Sequence, residues 1–194
     1  MDDRALSGVL IGVVDDLKDP QKQGRVRVCF PKLDNKLSDW LRLAAPMAGA
    51  ERGLFLRPER GDQVIVIYED GRLEGDGYVL GSIWSDTDKP PPDDGQAEKN
   101  NWRFLKSRSG HIFKFDDTAG KEQIEIIFKD NQKRILMDKD KVQVHCQTGD
   151  VIVKADAGNI SISAPAGNME LDANQISVKA KAKLVLSGGT VDIN

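Results

Sequence analysis

The stretch Val151-Ile152-Val153-Lys154-Ala155-Asp156-Ala157-Gly158-Asn159-Ile160-Ser161-Ile162-Ser163-Ala164-Pro165-Ala166-Gly167-Asn168-Met169-Glu170-Leu171 holds three copies of one short unit. In each copy two aliphatic residues flank a third, usually polar, and a glycine-containing turn follows in two of the three. The pattern extends in both directions. Ile135-Leu136-Met137 and Val142-Gln143-Val144 precede it, and Ile176-Ser177-Val178, Leu184-Val185-Leu186 and Val191-Asp192-Ile193 follow it. First residues of successive units are separated by 7, 9, 9, 9, 7, 8 and 7 positions. Gly149, Gly158, Gly167 and Gly188-Gly189 fall between units, where the chain must turn tightly. A short period of this kind signals a solenoid-like architecture.

One strand and one turn cannot enclose a core. Three chains, each supplying one side of a triangular prism, can. The inward set is then Val142, Val144, Val151, Val153, Ile160, Ile162, Met169, Leu171, Ile176, Val178, Leu184, Leu186, Val191 and Ile193. Gln143, Ser161, Glu170, Ser177 and Asp192 face water. Each aliphatic so buried contributes about 1.5–3 kcal/mol, and pairing between chains leaves few open sheet edges. A plain β-sandwich is the alternative. Against it, all three Trp, both Tyr and all six Phe lie at or before Phe128. A core built from large aromatics is therefore not available to the last third of the chain.

Working back from the repeat, the first half reads as a small barrel. The β-rich run Ser7–Val14 ends in the turn Asp15–Pro20. Arg25–Phe30 alternates polar with apolar, the period of a half-buried strand. Asp39–Ala44, Gln63–Tyr68 and Gly77–Ile83 complete five strands punctuated by Gly and Pro, as in an OB-like barrel. The polar segment Asp86–Gly95, with Pro90-Pro91-Pro92, reads as an extended linker. Past it, Trp102–Ser107, Gly110–Phe115 and Gln123–Phe128 suggest antiparallel strands around the acidic turn Asp116–Gly120. The expected organisation is an OB-fold domain over 1–85, a linker over 86–101, connecting strands over 102–130 and a trimeric β-helix over 131–194. The fold class is all-β: an N-terminal OB-fold barrel followed by a C-terminal triple-stranded, intertwined β-helix.

Composition narrows function by exclusion. A net charge of -3 gives no basic footprint for nucleic acid. No apolar run reaches the roughly 20 residues that span a bilayer, and MDDRALSGVL lacks the features of a secretory leader, so synthesis in the cytoplasm is expected. Cys29 and Cys146 read as buried, reduced thiols. With only His111 and His145, no zinc-ligand spacing exists. Asp15, Asp16 and Asp19 suit a turn better than a metal site. Ser107-Arg108-Ser109-Gly110-His111 places serines beside a histidine, but no G-x-S-x-G elbow accompanies them. Arg103, Lys106 and Arg108, and the lysines 179, 181 and 183, read as solvated faces. No catalytic, metal or cofactor residue is assigned, and the chain is expected not to be an enzyme.

The first half also carries a series of short motifs: Gly12-Val13-Val14, Asp19-Pro20, Gly24-Arg25-Val26-Arg27-Val28-Cys29-Phe30-Pro31, Trp40-Leu41-Arg42, Pro46-Met47-Ala48-Gly49 and Pro58-Glu59-Arg60-Gly61-Asp62-Gln63-Val64. In this order they resemble the N-terminal OB domain of phage baseplate assembly protein V and of VgrG spike proteins. Ser107–His111, Phe115–Gly120 and Met137-Asp138 resemble the strands leading from that domain into the family's β-helix. The resemblance implies a homotrimeric central spike of a contractile injection machine: a phage tail, a tailocin or an extracellular injection system. Its OB domains would dock beneath a tube hub protein, and its β-helix would puncture the target envelope, meeting the membrane only transiently. The hub portion and the lysozyme domain of some relatives have no counterpart, and no histidine follows His145 to build an iron-binding tip. The run Val191-Asp192-Ile193-Asn194 is expected to receive a separate PAAR-type tip protein. A second reading makes the barrel an envelope- or carbohydrate-binding module on a β-helical stalk, with Trp40 and Trp84 as candidate platform residues; both are expected in the core instead.

Overall fold

The computed structural model describes residues 8–69, 71–73 and 75–192. Alternation sets the first strands. β1 (Leu10–Asp16), β2 (Arg27–Phe30), β7 (Gln63–Tyr68) and β8 (Gly77–Ile83) each turn every second residue inward. Between β2 and β7 lie a 3-10 turn (Pro31–Leu33) and the short strands β3 (Lys36–Leu37), β4 (Arg42–Leu43), β5 (Ala48–Gly49) and β6 (Arg52–Gly53). The sheet order is β3-β2-β1-β7-β8-β4, antiparallel except for the parallel pair β4–β8. Val26, just before β2, bridges to Leu41, just before β4, through reciprocal hydrogen bonds of 3.0 and 2.8 Å. That bridge closes the sheet into a barrel and leaves no long open edge there.

The barrel core is Val14, Val26, Val28, Phe30, Leu41, Val64, Val66 and Val79, each 2% exposed or less. Phe30 is the one aromatic among them; valines fill the narrow interior, where β-branched side chains suit a pleated wall. Gly12 belongs to this design, since a Cβ there would run into the Val28 side chain and the Cys29 carbonyl. The turn after β1 is organised by Asp19. Its carboxylate accepts hydrogen bonds from the backbone N–H groups of Gln21 (3.0 Å), Gln23 (2.8 Å) and Arg25 (3.3 Å) and pairs with the Arg25 guanidinium at 2.7 Å. Asp19 is a turn device, as its sequence suggested, whereas Asp15 and Asp16 lie at the end of β1.

The described residues between β8 and Trp102 contain no strand. Then comes a five-stranded antiparallel meander: β9 (Trp102–Lys106), β10 (Ile112–Asp116), β11 (Gln123–Ile127), β12 (Lys133–Asp138) and β13 (Val142–Cys146), in the order β13-β12-β11-β10-β9. The first two units of the sequence repeat, around 135–137 and 142–144, are thus hydrogen-bonded within the chain to the strands before them. Beyond β13 the chain changes state. From Gln147 to Asp192 every residue is exposed and none forms a strand. Bends at 156–158, 165–167, 174, 181–182 and 189 separate the aliphatic triplets. The architecture is all-β, with a barrel first.

Three expectations need correction. Trp84 is not core but 67% exposed. Trp40 is half-buried, with the Arg27 guanidinium 5.3 Å over its ring. Cys29 and Cys146 are free, as expected, but half-buried rather than buried.

Candidate self-assembly face

Period-2 geometry sends alternate side chains of the meander to opposite faces, and the register aligns them into rows. One row is Leu105–Phe113–Ile126–Ile135–Val144; the next is Phe115–Ile124–Met137–Val142. All nine are large and apolar, and all nine are exposed, from Ile124 at 38% to Val142 at 65%. Phe113 and Phe115 meet edge to face at 5.0 Å. A groove of about 500 Å³ runs along this face, lined by Leu105, Phe113, Ile126, Ile135, Val144 and Val151 among others. Val151 opens the repeat, so the apolar surface passes from the sheet into the extended tail.

The opposite face carries charge. In its central row Phe104, Lys114, Glu125, Leu136 and Gln143 lie side by side. Lys114 is 9% exposed, Asp116 8% and Glu125 4%. Lys114 pairs with Glu125 at 2.5 Å and lies 4.3 Å over the Trp102 ring, while Arg134 reaches Glu125 at 3.4 Å. Trp102 Nε1–H donates to Asp116 Oδ2 at 2.8 Å, and Thr118 donates to Oδ1 from both its backbone N–H (3.0 Å) and its hydroxyl (2.6 Å). Burial pushes the Asp116 carboxyl up. The hydrogen bonds from Thr118 and Trp102, with the Lys114 charge, outweigh that and hold it below the usual carboxylate range.

Buried charges cost free energy unless paired and hydrogen-bonded, and here they are. Yet this sheet hides its ions and shows its hydrophobes. Such an inverted sheet leaves adjoining rows of exposed large apolar side chains, the kind of patch that marks an interaction surface.

The tail has the same imbalance. Val151, Val153, Ile160, Ile162, Met169, Leu171, Ile176, Val178, Leu184, Leu186 and Val191 are each between 52% and 74% exposed. Val142 and Val144 join the meander's apolar face; the structure brings none of the later inward set together within one chain. Among the described residues from 151 onward there is one backbone hydrogen bond, Gly167 N–H to the Ala164 carbonyl at 3.2 Å. Of the tip-binding set, Val191 and Asp192 are exposed, and Ile193 and Asn194 lie outside the described residues. Five meander residues (Leu105, Phe113, Phe115, Ile124 and Ile126) belong to this face but were not singled out from sequence, whereas Ile135 and Met137 flank the first unit of the repeat. Phe113-Lys114-Phe115 and Ile124-Glu125-Ile126 carried the signal.

His111 has a structural place. Its Nδ1 accepts from the Lys129 N–H at 3.3 Å, and its ring packs on Phe128 at 4.6 Å. Arg103 pairs with Asp117, and Arg108 with Glu59 of the barrel at 2.6 Å. Among the described residues no group of three metal-ligating side chains converges, and no helix is long and apolar enough to cross a membrane.

Comparison with known proteins bears on the barrel. Residues 10–84, from the first residue of β1 to just past β8, match the family model of the type VI secretion system/phage-baseplate injector OB domain. The barrel is similar to an injector OB domain. Two curated relatives, the type VI secretion system spike proteins VgrG2a and VgrG2b of Pseudomonas aeruginosa, are each 32% identical over 104 residues, 50% of this chain. The matched part is 12% of the first relative's length and 10% of the second's. The resemblance to baseplate and VgrG-like spike proteins is therefore borne out, over about a tenth of those much longer chains. The barrel is followed here by the charged-core meander and the aliphatic repeat.

Proposed function

We propose that this chain is one third of a homotrimeric central spike of a contractile injection machine. The observation that carries the reading is the succession of large apolar side chains, from Leu105 to Val191, that a single chain leaves exposed. Ordering a residue costs about 1–2 kcal/mol in backbone entropy alone. The residues from 147 to 192, without intrachain strand pairing or burial, have nothing within one chain to offset that cost. Three copies supply it: the meander faces converge on an axis, and below them the repeat units wind into a triple-stranded β-helix. The units from Val142 to Ile193 fill its dry centre. In this arrangement 1–85 is the docking domain, 86–101 a linker, 102–130 the connecting strands and 131–194 the rod.

The injector OB domain docks beneath a tube hub protein. The rod points away from it and receives a PAAR-type tip protein at Val191–Asn194. The role is mechanical. A prism with its backbone hydrogen bonds satisfied between chains bears axial load, punctures the target envelope and meets the membrane only while passing through. No catalytic group, cofactor or nucleic acid enters the scheme. The chain is made in the cytoplasm and works as part of an assembled tail or injection particle.

Amide hydrogen exchange tests the rod directly. In the trimer, amides at the unit centres of 151–192 are protected for hours. Exchange of that whole segment within seconds in the native particle would refute the reading.

One observation favours a second reading, an envelope- or carbohydrate-binding barrel. Trp84 stands exposed beside Gln63, Thr87, Asp88 and Lys89 in an open groove, and an aromatic face among polar groups suits a sugar ring. Quenching of Trp84 fluorescence by envelope oligosaccharides would support it.

A further inference from the structure

Charge along the repeat is segregated. Residues 151–172 carry Lys154 against Asp156, Glu170 and Asp172, a net charge of -2. Residues 173–192 carry Lys179, Lys181 and Lys183 against Asp192 alone, a net charge of +2. The first lysine is neutralised locally, since Lys154 pairs with Asp156. The later three are exposed and have no ion-pair partner among the described residues. They sit where the chain bends at 181–182, between the triplets 176–178 and 184–186. Alanines 180 and 182 separate them, so nothing bulky shields the ammonium groups.

We infer that Lys179, Lys181 and Lys183 form a membrane-contact belt, which binds the phosphate headgroups of an anionic bilayer as the rod meets it. The inference rests on the trimeric spike reading. In the trimer the bend becomes a corner of the prism, and three corners at one level carry three lysines each. Lysines two apart are at most about 7 Å from one another along the backbone, within the ~8 Å screening length of physiological salt, and the bend at 181–182 draws the outer two closer than a straight strand would, so they act as one patch. A planar lipid surface pierced by a rod surrounds it and meets all three corners at once. A protein partner, by contrast, would need three matching acidic sites. Each lysine near an anionic leaflet raises partitioning about fivefold, so one corner raises it about a hundredfold. The ammonium groups favour the headgroup level and not the hydrocarbon. The belt therefore holds the rod at the surface until force drives it in.

The test is co-sedimentation of the full chain with vesicles of phosphatidylcholine alone or mixed equally with phosphatidylglycerol. The variant carries Lys179→Gln, Lys181→Gln and Lys183→Gln together. Wild type is expected to bind the phosphatidylglycerol vesicles and not the neutral ones and to release them in high salt, and the variant is expected to partition at least about a hundredfold less, the loss for a single corner. Equal binding by variant and wild type, equal binding to both vesicles, or lysine-dependent binding of duplex DNA as strong as that of vesicles would overturn it. Native mass of the same preparations separates this inference from the spike itself. A trimer that ignores phosphatidylglycerol overturns the belt and leaves the spike standing, whereas a monomer removes the spike and the belt with it.

Discussion

Ile126 sits at the centre of the meander's exposed row, between Phe113 and Ile135, and is 50% exposed in one chain. Replacing it with alanine separates two physical situations. If the face is solvated, half of a side chain is removed from water contact and stability moves by about 0.5 kcal/mol or less. If three faces pack around an axis, the lost atoms come from a filled interior. An Ile→Ala change there costs about 2–5 kcal/mol per site. The half of Ile126 already covered within its own chain puts the expected value at the lower end, about 2–3 kcal/mol per chain. Three copies change together, so the assembly loses roughly 6–9 kcal/mol. The assay is the temperature at which the native oligomer dissociates, followed by sedimentation and by band position after graded heating in SDS. Ile126→Ala should lower that temperature by many degrees while leaving the barrel's own unfolding unchanged. An unchanged dissociation temperature would refute the packing of this face.

Other expectations follow from the same contacts. Glu125→Leu leaves Lys114 buried with only Asp116, 3.9 Å away, as an acidic partner; it should cost about 3–5 kcal/mol, and adding Lys114→Met should recover most of that in a double-mutant cycle. The Arg25 hydrogen bond, joined by three backbone N–H groups, holds the Asp19 carboxyl far below the usual range. Its folded-state contribution is therefore complete above the unfolded value of about 4 and is lost as pH falls below it toward the folded value. Acid melts of the wild type should show that loss, and Asp19→Asn should flatten it. Burial pushes the Tyr68 phenol up to about 12, with the Asp39 charge adding to the effect, and its buried hydroxyl has no hydrogen-bond partner among the described residues. Stability should fall as pH rises from about 10 toward 12, because the unfolded chain releases that proton first. Tyr68→Phe should remove the fall and raise neutral-pH stability by about 1 kcal/mol.

The barrel was legible because each of its long strands turns its apolar side toward a core within the same chain. Val64 and Val66, or Val26 and Val28, declare their face by alternation alone. The meander alternates just as clearly, but alternation does not say which side is covered. Phe113-Lys114-Phe115 reads naturally as phenylalanines in and lysine out; in one chain the reverse holds, because Lys114 has Glu125 and Trp102 while the phenylalanines have only each other. Trp84 misleads for a related reason: a large aromatic ending a strand suggests core, yet the residues after it turn away. The repeat was readable as a rhythm of triplets and bends. What the later triplets pack against does not follow from one chain, where from Val151 onward they are exposed and unpaired.

The central claim is that three copies cover one another's apolar faces, and native mass tests it most directly. A heat- and SDS-resistant species of three times 21.4 kDa is expected, stable to dilution. A species of 21.4 kDa that unfolds reversibly at modest temperature would contradict it.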